Sequence, residues 1–178
     1  GSVAALAGSL AAALSAMVAN LTIGKKGYEG LWNSMSNLAV QAQAVKARLA
    51  KAVDEDTNAF NAVMEAMKLP KKTPEEIEAR EKALLAGYKS AIAVPLETAK
   101  ACVDAASLAV QAVAGNKNSA SDAGVAALMA RAGAHGAALN VLINLGSISD
   151  AAYVASMKKA AAELRAKADQ LCEKAVSA

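Results

Sequence analysis

The sequence predicts an all-α fold, an up-and-down helical bundle of five to six helices formed as a single domain over residues 1–178. Hydrophobic residues make up 55% of the chain but aromatic residues only 3%, so the core must consist mainly of Ala, Leu, Val and Met. Alanine has the best intrinsic helix propensity, and only three prolines interrupt the chain. No segment alternates with the period of two that is typical of a strand.

Charge and composition exclude several functional classes. The 19 basic and 16 acidic residues are spread along the chain without a dense basic block, so we expect no nucleic-acid partner. Cys102 and Cys172 lie far apart with no metal-binding spacing, which is typical of reduced thiols in a cytoplasmic protein. The single histidine, His135, excludes most zinc sites and Ser-His-Asp triads, and we expect no metal.

The first helix is predicted in the uncharged segment 2–24, which is long enough to span a bilayer. Alanine dominates this segment and Ser and Asn interrupt it, so we expect a core helix or a subunit interface and no membrane span. Apolar residues at spacings of three and four predict its buried stripe. The stripe consists of Leu6, Leu10, Leu14, Met17, Val18 and Leu21.

The middle of the chain carries the longest helical pattern. Near-heptad spacing from Tyr28 to Met67 predicts one long helix or two stacked helices, and the Leu69–Pro70 step ends it. Thr73 followed by a proline and two glutamates predicts a capped helix start. We expect Pro95 to end or kink this helix and a further stripe to follow it.

The last two helices are separated by polar loops. The segment 115–122 predicts a loop in which Gly115 and Asn116 form a C-cap and Ser119 or Ser121 caps the following helix. That helix extends to about residue 145, and a second stop-and-cap segment precedes the final amphipathic helix. The short connections favour antiparallel neighbours in the bundle.

Asp56 is the most informative polar residue because it lies on the apolar stripe of the long helix. Helical spacing from Leu49 and Val53 leads to Asp56, where an apolar residue is expected. The stripe then resumes at Phe60, Val63 and Met67. Burial disfavours the charged form of a carboxyl group, which suits it for proton transfer near neutral pH. The alternatives are a helix kink at this position, or a structural hydrogen bond or ion pair.

Three further groups are candidates for ligand binding. Lys25 and Lys26 lie beside Tyr28 in a turn flanked by glycines, where they either cap the first helix or hold an anionic group. The amide and hydroxyl groups of the 116–122 loop either cap a helix or recognise a heteroaromatic ring. Asn140 and Asn144 form an i, i+4 pair on one helix face.

Several strings, taken together and in order, carry a family resemblance. They are residues 1–5, GSVAA; 17–26, MVANLTIGKK; 53–60, VDEDTNAF; 69–76, LPKKTPEE; 94–96, VPL; 115–122, GNKNSASD; and 140–145, NVLINL. Each string is weak alone, but together they cover nearly the whole chain. The chain therefore resembles the cyclodeaminase/cyclohydrolase family, which includes the cyclodeaminase domain of formiminotransferase-cyclodeaminase.

The resemblance implies an all-helical homodimer that binds a tetrahydrofolate derivative, including polyglutamylated forms, as its substrate and needs no other cofactor. It implies a cytoplasmic lyase of one-carbon metabolism and histidine degradation. This enzyme would convert 5-formiminotetrahydrofolate to 5,10-methenyltetrahydrofolate and ammonia. A formiminotransferase domain or protein is a further implied partner.

The resemblance also assigns roles to individual residues. Asp56 matches the family's catalytic aspartate. The residues implied to bind the substrate are Asn20, Lys25, Lys26, Tyr28, Asn118, Asp122 and Asn144. Two alternatives stay open, a methenyltetrahydrofolate cyclohydrolase, which forms 10-formyltetrahydrofolate with water as nucleophile, and a non-catalytic helical assembly domain.

Overall fold

The computed structural model describes all of residues 1–178 and contains five α-helices and no strand. The helices are α1 (Ser2–Asn20), α2 (Trp32–Lys68), α3 (Pro74–Ala112), α4 (Ala120–Asn144) and α5 (Ala151–Val176). Single 3₁₀ turns at Glu29–Leu31, Lys117–Ser119 and Leu145–Ser147 lie next to α2 and α4. The helices α1 and α4 pack against each other and against α3, α2 packs on α1 and α3, and α5 packs on α3 and α4. The predicted all-α bundle is confirmed.

Local sequence signals set several helix boundaries. The Thr73 side chain accepts a hydrogen bond from the Glu76 N–H, and the Glu76 carboxylate accepts one from the Thr73 N–H, so α3 begins with a capping box. The Asp150 carboxylate caps α5 by accepting from the Tyr153 N–H. Helix α2 ends before Leu69, whose ψ of 145° is extended. These boundaries agree with the sequence.

The loop between α3 and α4 differs from the prediction in both caps. Val113 is the C-cap of α3, and Gly115 lacks the left-handed conformation of a glycine C-cap. Ser119 precedes α4, but its side chain makes no capping hydrogen bond. A 3₁₀ turn leads into the helix instead, and the Asn116 side chain caps that turn by accepting from the Asn118 N–H.

Pro95 lies inside α3 and does not end it. Proline has no N–H, so the carbonyl of Ala91, four residues earlier, loses its partner within the helix. The Asn144 side chain donates to that carbonyl from α4 at 2.8 Å. Of the two predicted alternatives, an end of the helix at Pro95 is wrong, because an amide from another helix takes the place of the missing hydrogen bond. A kink at Pro95 stays a prediction.

The buried face of α1 differs from the one predicted, although Val18 of the predicted stripe is buried. Its buried residues are almost all Ala, Gly and Ser, with Val18 the only large one. The stripe of large apolar residues is exposed at Leu6, Leu10, Met17 and Leu21. The physical reason is close packing, because a face of small residues lets α1 contact three helices at once and leaves its leucines on the fourth side.

Close packing is most evident where α1, α3 and α4 meet around Cys102. A Cβ atom on Gly8 would lie 2.5 Å from the Cys102 Sγ atom. A Cβ atom on Gly133 would lie 2.8 Å from Cys102 Sγ and 2.8 Å from the carbonyl oxygen of Ala4. Real Cβ atoms are never this close to other heavy atoms, so both glycines are required by the approach of the helices.

We expect Gly133→Ala to lower the free energy of unfolding by roughly 1–3 kcal/mol, because the added methyl overpacks a backbone contact. Gly124→Ala in the same helix is the matched control, since a Cβ atom there has no neighbour within 4 Å. The control should be more stable than the parent by about 0.5–1 kcal/mol. Urea unfolding followed by circular dichroism measures both, and equal effects would contradict this packing.

Two segments, Ser2–Asn20 and Lys117–Ser147, are long and apolar enough by length and composition to cross a membrane. A core helix of a soluble protein meets the same criterion, and about half of each segment is buried inside the bundle. Helices α1 and α4 pack against each other, and we call their exposed large apolar side chains the α1–α4 face. It consists of Val3, Leu6, Leu10, Met17, Leu21, Val125, Leu128, Leu139 and Ile143.

Candidate active site

A cavity of about 300 Å³ lies between α2, α3 and α4, beyond the first turn of α1. Helix α1 runs antiparallel to α2, since Ser2 contacts Asp56 and Ser9 contacts Lys46. The part of α2 after Asp56 therefore extends past the start of α1. The cavity is lined by Asp56, Phe60, Val63, Met64, Met67, Tyr88, Ala91, Asn140, Ile143 and Asn144.

Asp56 lies at the edge of this cavity, where α1 begins. Its Oδ2 atom accepts hydrogen bonds from the Ser2 N–H and the Ser2 hydroxyl, both at 2.8 Å. The carboxylate thus caps α1 from another helix, at the positive end of the helix dipole. Its side chain is 26% exposed, so the expectation of a buried acid is met only in part. Asp56 is the only charged residue that lines the cavity.

The chain next to Asp56 requires a glycine. A Cβ atom on Gly1 would lie 1.7 Å from Asp56 Oδ1. Only a residue without a side chain lets the backbone pass this close to the carboxylate. Asp56 Oδ1 itself accepts no hydrogen bond from any group of the chain, whereas Oδ2 accepts two.

Two amide side chains supply further polar groups of the cavity. The Asn144 Nδ2 group donates to the carbonyls of Ala91 and Asn140, at 2.8 Å and 3.0 Å. The Asn140 Nδ2 group donates to the carbonyl of Gly136 at 2.9 Å. Because both NH₂ groups are held by the backbone, the two Oδ1 atoms are left as acceptors. Together with Asp56 they favour a ligand that is rich in N–H donors.

Apolar side chains form the walls and the rim. Phe60 on α2 is 62% exposed and Ile143 on α4 is 77% exposed. Phe60 and Met67 were expected in the core with Asp56, and both are exposed instead. Tyr88 also lines the cavity, and its hydroxyl makes no hydrogen bond within the chain. An apolar slot with a few polar groups is the usual form of a small-molecule site.

A second polar cluster lies at the opposite end of α1. The Lys25 ammonium group donates to Asn116 Oδ1 at 2.5 Å and lies 5.7 Å from the centre of the Tyr28 ring. The Tyr28 hydroxyl accepts from the Lys117 N–H at 3.1 Å. This cluster joins the turn after α1 to the loop before α4. The Lys25 side chain therefore interacts with a side chain rather than with the last carbonyls of α1.

The residues predicted as a site fall into two places. Asp56 and Asn144 both line the cavity. Five of the others lie in the turn after α1 and at or near the start of α4, namely Lys25, Lys26, Tyr28, Asn118 and Asp122, and Asn20 is the last residue of α1. Helix α1 has 19 residues, which at 1.5 Å per residue separates its two ends by about 28 Å. Within one chain, the two groups do not meet.

Several cavity residues were not predicted. Asn140 was noted as a partner of Asn144 but not assigned to the site, and the helical spacing of the two was the signal that could have included it. Tyr88, Phe60 and Ile143 carry no such signal, because each fits an ordinary apolar stripe. These side chains border an opening only because of the lengths of the neighbouring helices, and the apolar stripes do not show this.

The thiols and the histidine do not take part in this arrangement. Burial raises the pKa of the Cys102 thiol to about 12, so it is not a nucleophile at neutral pH. His135 and Arg131 both bond to Asp169 on α5, at 2.9 Å and 2.5 Å. Burial acts to raise the pKa of Asp169, but these hydrogen bonds outweigh it and hold that pKa below its usual range. No group of three or more His, Cys, Asp or Glu side chains is placed to hold a metal ion.

Comparison with known proteins gives a consistent result. The family model described as formiminotransferase-cyclodeaminase matches residues 1–163. A methenyltetrahydrofolate cyclohydrolase of Methylorubrum extorquens is 39% identical over 175 residues, which are 98% of this chain and 84% of that protein. A formimidoyltransferase-cyclodeaminase of Sus scrofa is 41% identical over 160 residues, which are 89% of this chain but only 30% of that protein.

A solved structure is similar over nearly the whole chain. The crystal structure of a formiminotetrahydrofolate cyclodeaminase from Thermotoga maritima matches with a TM-score of 0.87 and 30% sequence identity. The match covers 99% of this chain and 84% of that one. Both a deaminating and a hydrolysing activity thus occur among the names of similar proteins.

Proposed function

Because the chain belongs to the formiminotransferase-cyclodeaminase family, whose members process folates, we propose that it is a formiminotetrahydrofolate cyclodeaminase. It would convert 5-formiminotetrahydrofolate to 5,10-methenyltetrahydrofolate and ammonia. The observation that carries the proposal is the carboxylate of Asp56 at the edge of an apolar cavity whose other polar groups are two amide acceptors and the Tyr88 hydroxyl.

The proposed reaction needs one group that moves a proton between two nitrogens. The folate N10 attacks the carbon of the protonated formimino group, and the new C–N10 bond leaves N10 with an extra proton. Asp56 accepts that proton and passes it to the amino nitrogen on the same carbon. The C–N bond to this nitrogen then breaks, so ammonia leaves and the methenyl cation remains. Proton transfer of this kind contributes about 10²- to 10⁴-fold to a rate.

The cyclohydrolase is the second candidate, and a specific similarity favours it. The cyclohydrolase of Methylorubrum extorquens matches this chain over 84% of its own length, whereas the animal cyclodeaminases match over about 30% of theirs. The same cavity would then position a water molecule, and Asp56 would accept its proton as the water attacks the methenyl carbon. The two reactions share the folate and the acid/base group.

Incubation with each substrate tests the proposal. With 5-formiminotetrahydrofolate we expect methenyl absorbance and ammonia to appear together in equal amounts. With 5,10-methenyltetrahydrofolate we expect loss of absorbance no faster than without protein. Rapid hydrolysis without ammonia release from the formimino compound would instead favour the cyclohydrolase, and no turnover of either would contradict both.

Two copies of the chain are proposed to pair through the α1–α4 face. The face has nine exposed large apolar side chains, and α1 contributes no charged residue to it. Contiguous apolar patches of this kind are typical of interaction surfaces. A second copy related by a two-fold axis supplies the same uncharged surface and would remove both from water.

This pairing would also explain the two separate groups of predicted residues. If α1 of one copy packs antiparallel to α1 of the other near Leu10, each Asp56 cavity faces the opposite end of the partner's helix. The partner subunit's Lys25 and the partner subunit's Tyr28 would then border the cavity. Lysines there suit the anionic glutamate tail of a folate, and the partner's Asp122 suits the N–H groups of the pterin.

The cellular setting follows from the same proposal. Cys102 and Cys172 are free and buried, which fits a reducing, cytoplasmic compartment. A formiminotransferase would make the formimino compound, so we propose a formiminotransferase domain or protein as partner and histidine degradation as the setting. Residues 1–178 would act as one catalytic domain with no metal or further cofactor.

A further inference from the structure

We propose that Ser2 is a positioning residue that makes the two oxygens of Asp56 unequal and assists the return of the proton. This inference rests on the proposed acid/base role of Asp56. Ser2 lies in the first turn of α1 and does not line the cavity. Any influence on the substrate must therefore pass through Asp56.

The contacts of Ser2 assign different tasks to the carboxylate oxygens. The Ser2 N–H and the Ser2 hydroxyl both lie 2.8 Å from Asp56 Oδ2. Two donors at one oxygen hold the side chain in a single orientation. Asp56 Oδ1, which receives no hydrogen bond from the chain, is therefore the oxygen that exchanges protons with the substrate.

The Ser2 hydroxyl has a second acceptor nearby, the carbonyl oxygen of Val53, which also accepts from the Thr57 hydroxyl at 3.2 Å. The Ser2 Oγ atom lies 3.1 Å from this carbonyl oxygen, one turn before Asp56 on α2. A hydroxyl has one hydrogen, so it donates either to Asp56 Oδ2 or to the Val53 carbonyl. Rotation about the Cβ–Oγ bond exchanges the two without moving any heavy atom.

The choice between the acceptors depends on the protonation of Asp56. An ionised carboxylate is the stronger acceptor, so the hydroxyl donates to Oδ2 before proton transfer. When Oδ1 has taken the proton from N10, Oδ2 becomes a neutral carbonyl oxygen and the Val53 carbonyl competes for the hydrogen. The return of the hydroxyl to Oδ2 favours loss of the proton to the departing amine. Ser2 thus gives the ionised carboxylate two donors at Oδ2, its N–H and its hydroxyl.

Ser2→Ala tests this role with Ser9→Ala as the matched control. Ser9 also joins α1 to α2, because its hydroxyl donates to the Lys46 carbonyl at 3.2 Å, but it does not touch Asp56. We expect Ser2→Ala to lower kcat by about ten- to hundredfold, as for a lost hydrogen bond to a charged group, with KM nearly unchanged. Ser9→Ala should keep the parent kcat and KM.

Ser2→Thr restores the hydroxyl and should recover most of kcat. This variant also keeps the proposal testable if Ser2→Ala folds poorly. Three results would each overturn the proposal: a Ser2→Ala enzyme with the parent kcat, equal losses of kcat in Ser2→Ala and Ser9→Ala, or no recovery of kcat in Ser2→Thr. Asp56→Asn distinguishes failure of the proposed role of Ser2 from failure of the proposed role of Asp56. If that variant is inactive and Ser2→Ala is normal, only the role of Ser2 fails, whereas an active Asp56→Asn removes the proposed function of Asp56 itself.

Discussion

Asp56→Asn is expected to keep the helical bundle folded and to lower kcat by about 10²- to 10⁴-fold, the usual contribution of a positioned acid/base. Asparagine has nearly the same shape as aspartate. It can still accept hydrogen bonds from the Ser2 N–H and the Ser2 hydroxyl, which in the parent protein both lie 2.8 Å from Asp56 Oδ2. It cannot take up and return a proton near neutral pH. Initial rates of methenyl formation measure kcat, and circular dichroism measures folding. We expect a loss of stability of about 1 kcal/mol, since a charged cap of α1 becomes neutral.

Asp54→Asn is the matched control for this variant. Asp54 is an exposed carboxylate on the same helix, two residues away, and makes no hydrogen bond or ion pair. It should retain the parent kcat and melting temperature. If Asp56→Asn also retained kcat, the acid/base assignment would be wrong. If the parent protein bound no reduced folate at all, the non-catalytic assembly domain would be the better interpretation.

Leu10→Glu is expected to separate the proposed dimer into monomers and to abolish most turnover. Leu10 is 47% exposed near the middle of the uncharged α1. In an antiparallel pair the two new carboxylates would face each other in an apolar interface, where unpaired charges are strongly disfavoured. Light scattering after size-exclusion chromatography measures the mass, and initial rates measure turnover. Both should fall together, because each cavity would lose the lysines that the partner contributes.

Leu85→Glu provides the control for a general effect of charge on an exposed leucine. Leu85 is 45% exposed but lies on α3, outside the α1–α4 face. This variant should keep both mass and turnover. A Leu10→Glu protein that stays dimeric, or a monomeric one with full activity, would contradict the shared site. A parent protein that sediments with lipid vesicles would instead assign the face to a membrane.

The helices were largely predictable from the sequence because local signals set their ends. The capping box at Thr73, the Leu69–Pro70 step and the Asp150 cap act within a few residues, so the sequence alone contains the cause. Pro95 was misjudged for the opposite reason. The group that replaces its missing hydrogen bond, the Asn144 amide, lies 53 positions away from the affected carbonyl of Ala91.

The packing faces were less predictable, and α1 illustrates the limit. A stripe of leucines normally marks the buried side of a helix. In α1 the small residues are buried instead, because Gly8 and its neighbours approach Cys102 and α4 too closely for larger side chains. Which of two apolar faces is buried depends on the shape of the partner helices, and one helix alone does not contain that information.

The candidate site, like the helices and their packing faces, was only partly predictable from the sequence. Asp56, the anomaly on an apolar stripe, lines the cavity, although its side chain is 26% exposed rather than buried. The grouping of Lys25, Tyr28 and Asp122 with Asp56 is not found within one chain. Their roles stay predictions that depend on how two copies pair.

The most direct test of the central claim is a crystal structure with a non-reacting reduced-folate analogue. We expect the analogue in the Asp56 cavity, with its N5 to N10 region within about 3 Å of Asp56 Oδ1 or joined to it by one water. The glutamate tail should point towards Lys25 and Lys26 of a second copy. An analogue bound with its N5 to N10 region at the Lys25 end of the chain, away from any Asp56, would contradict the account.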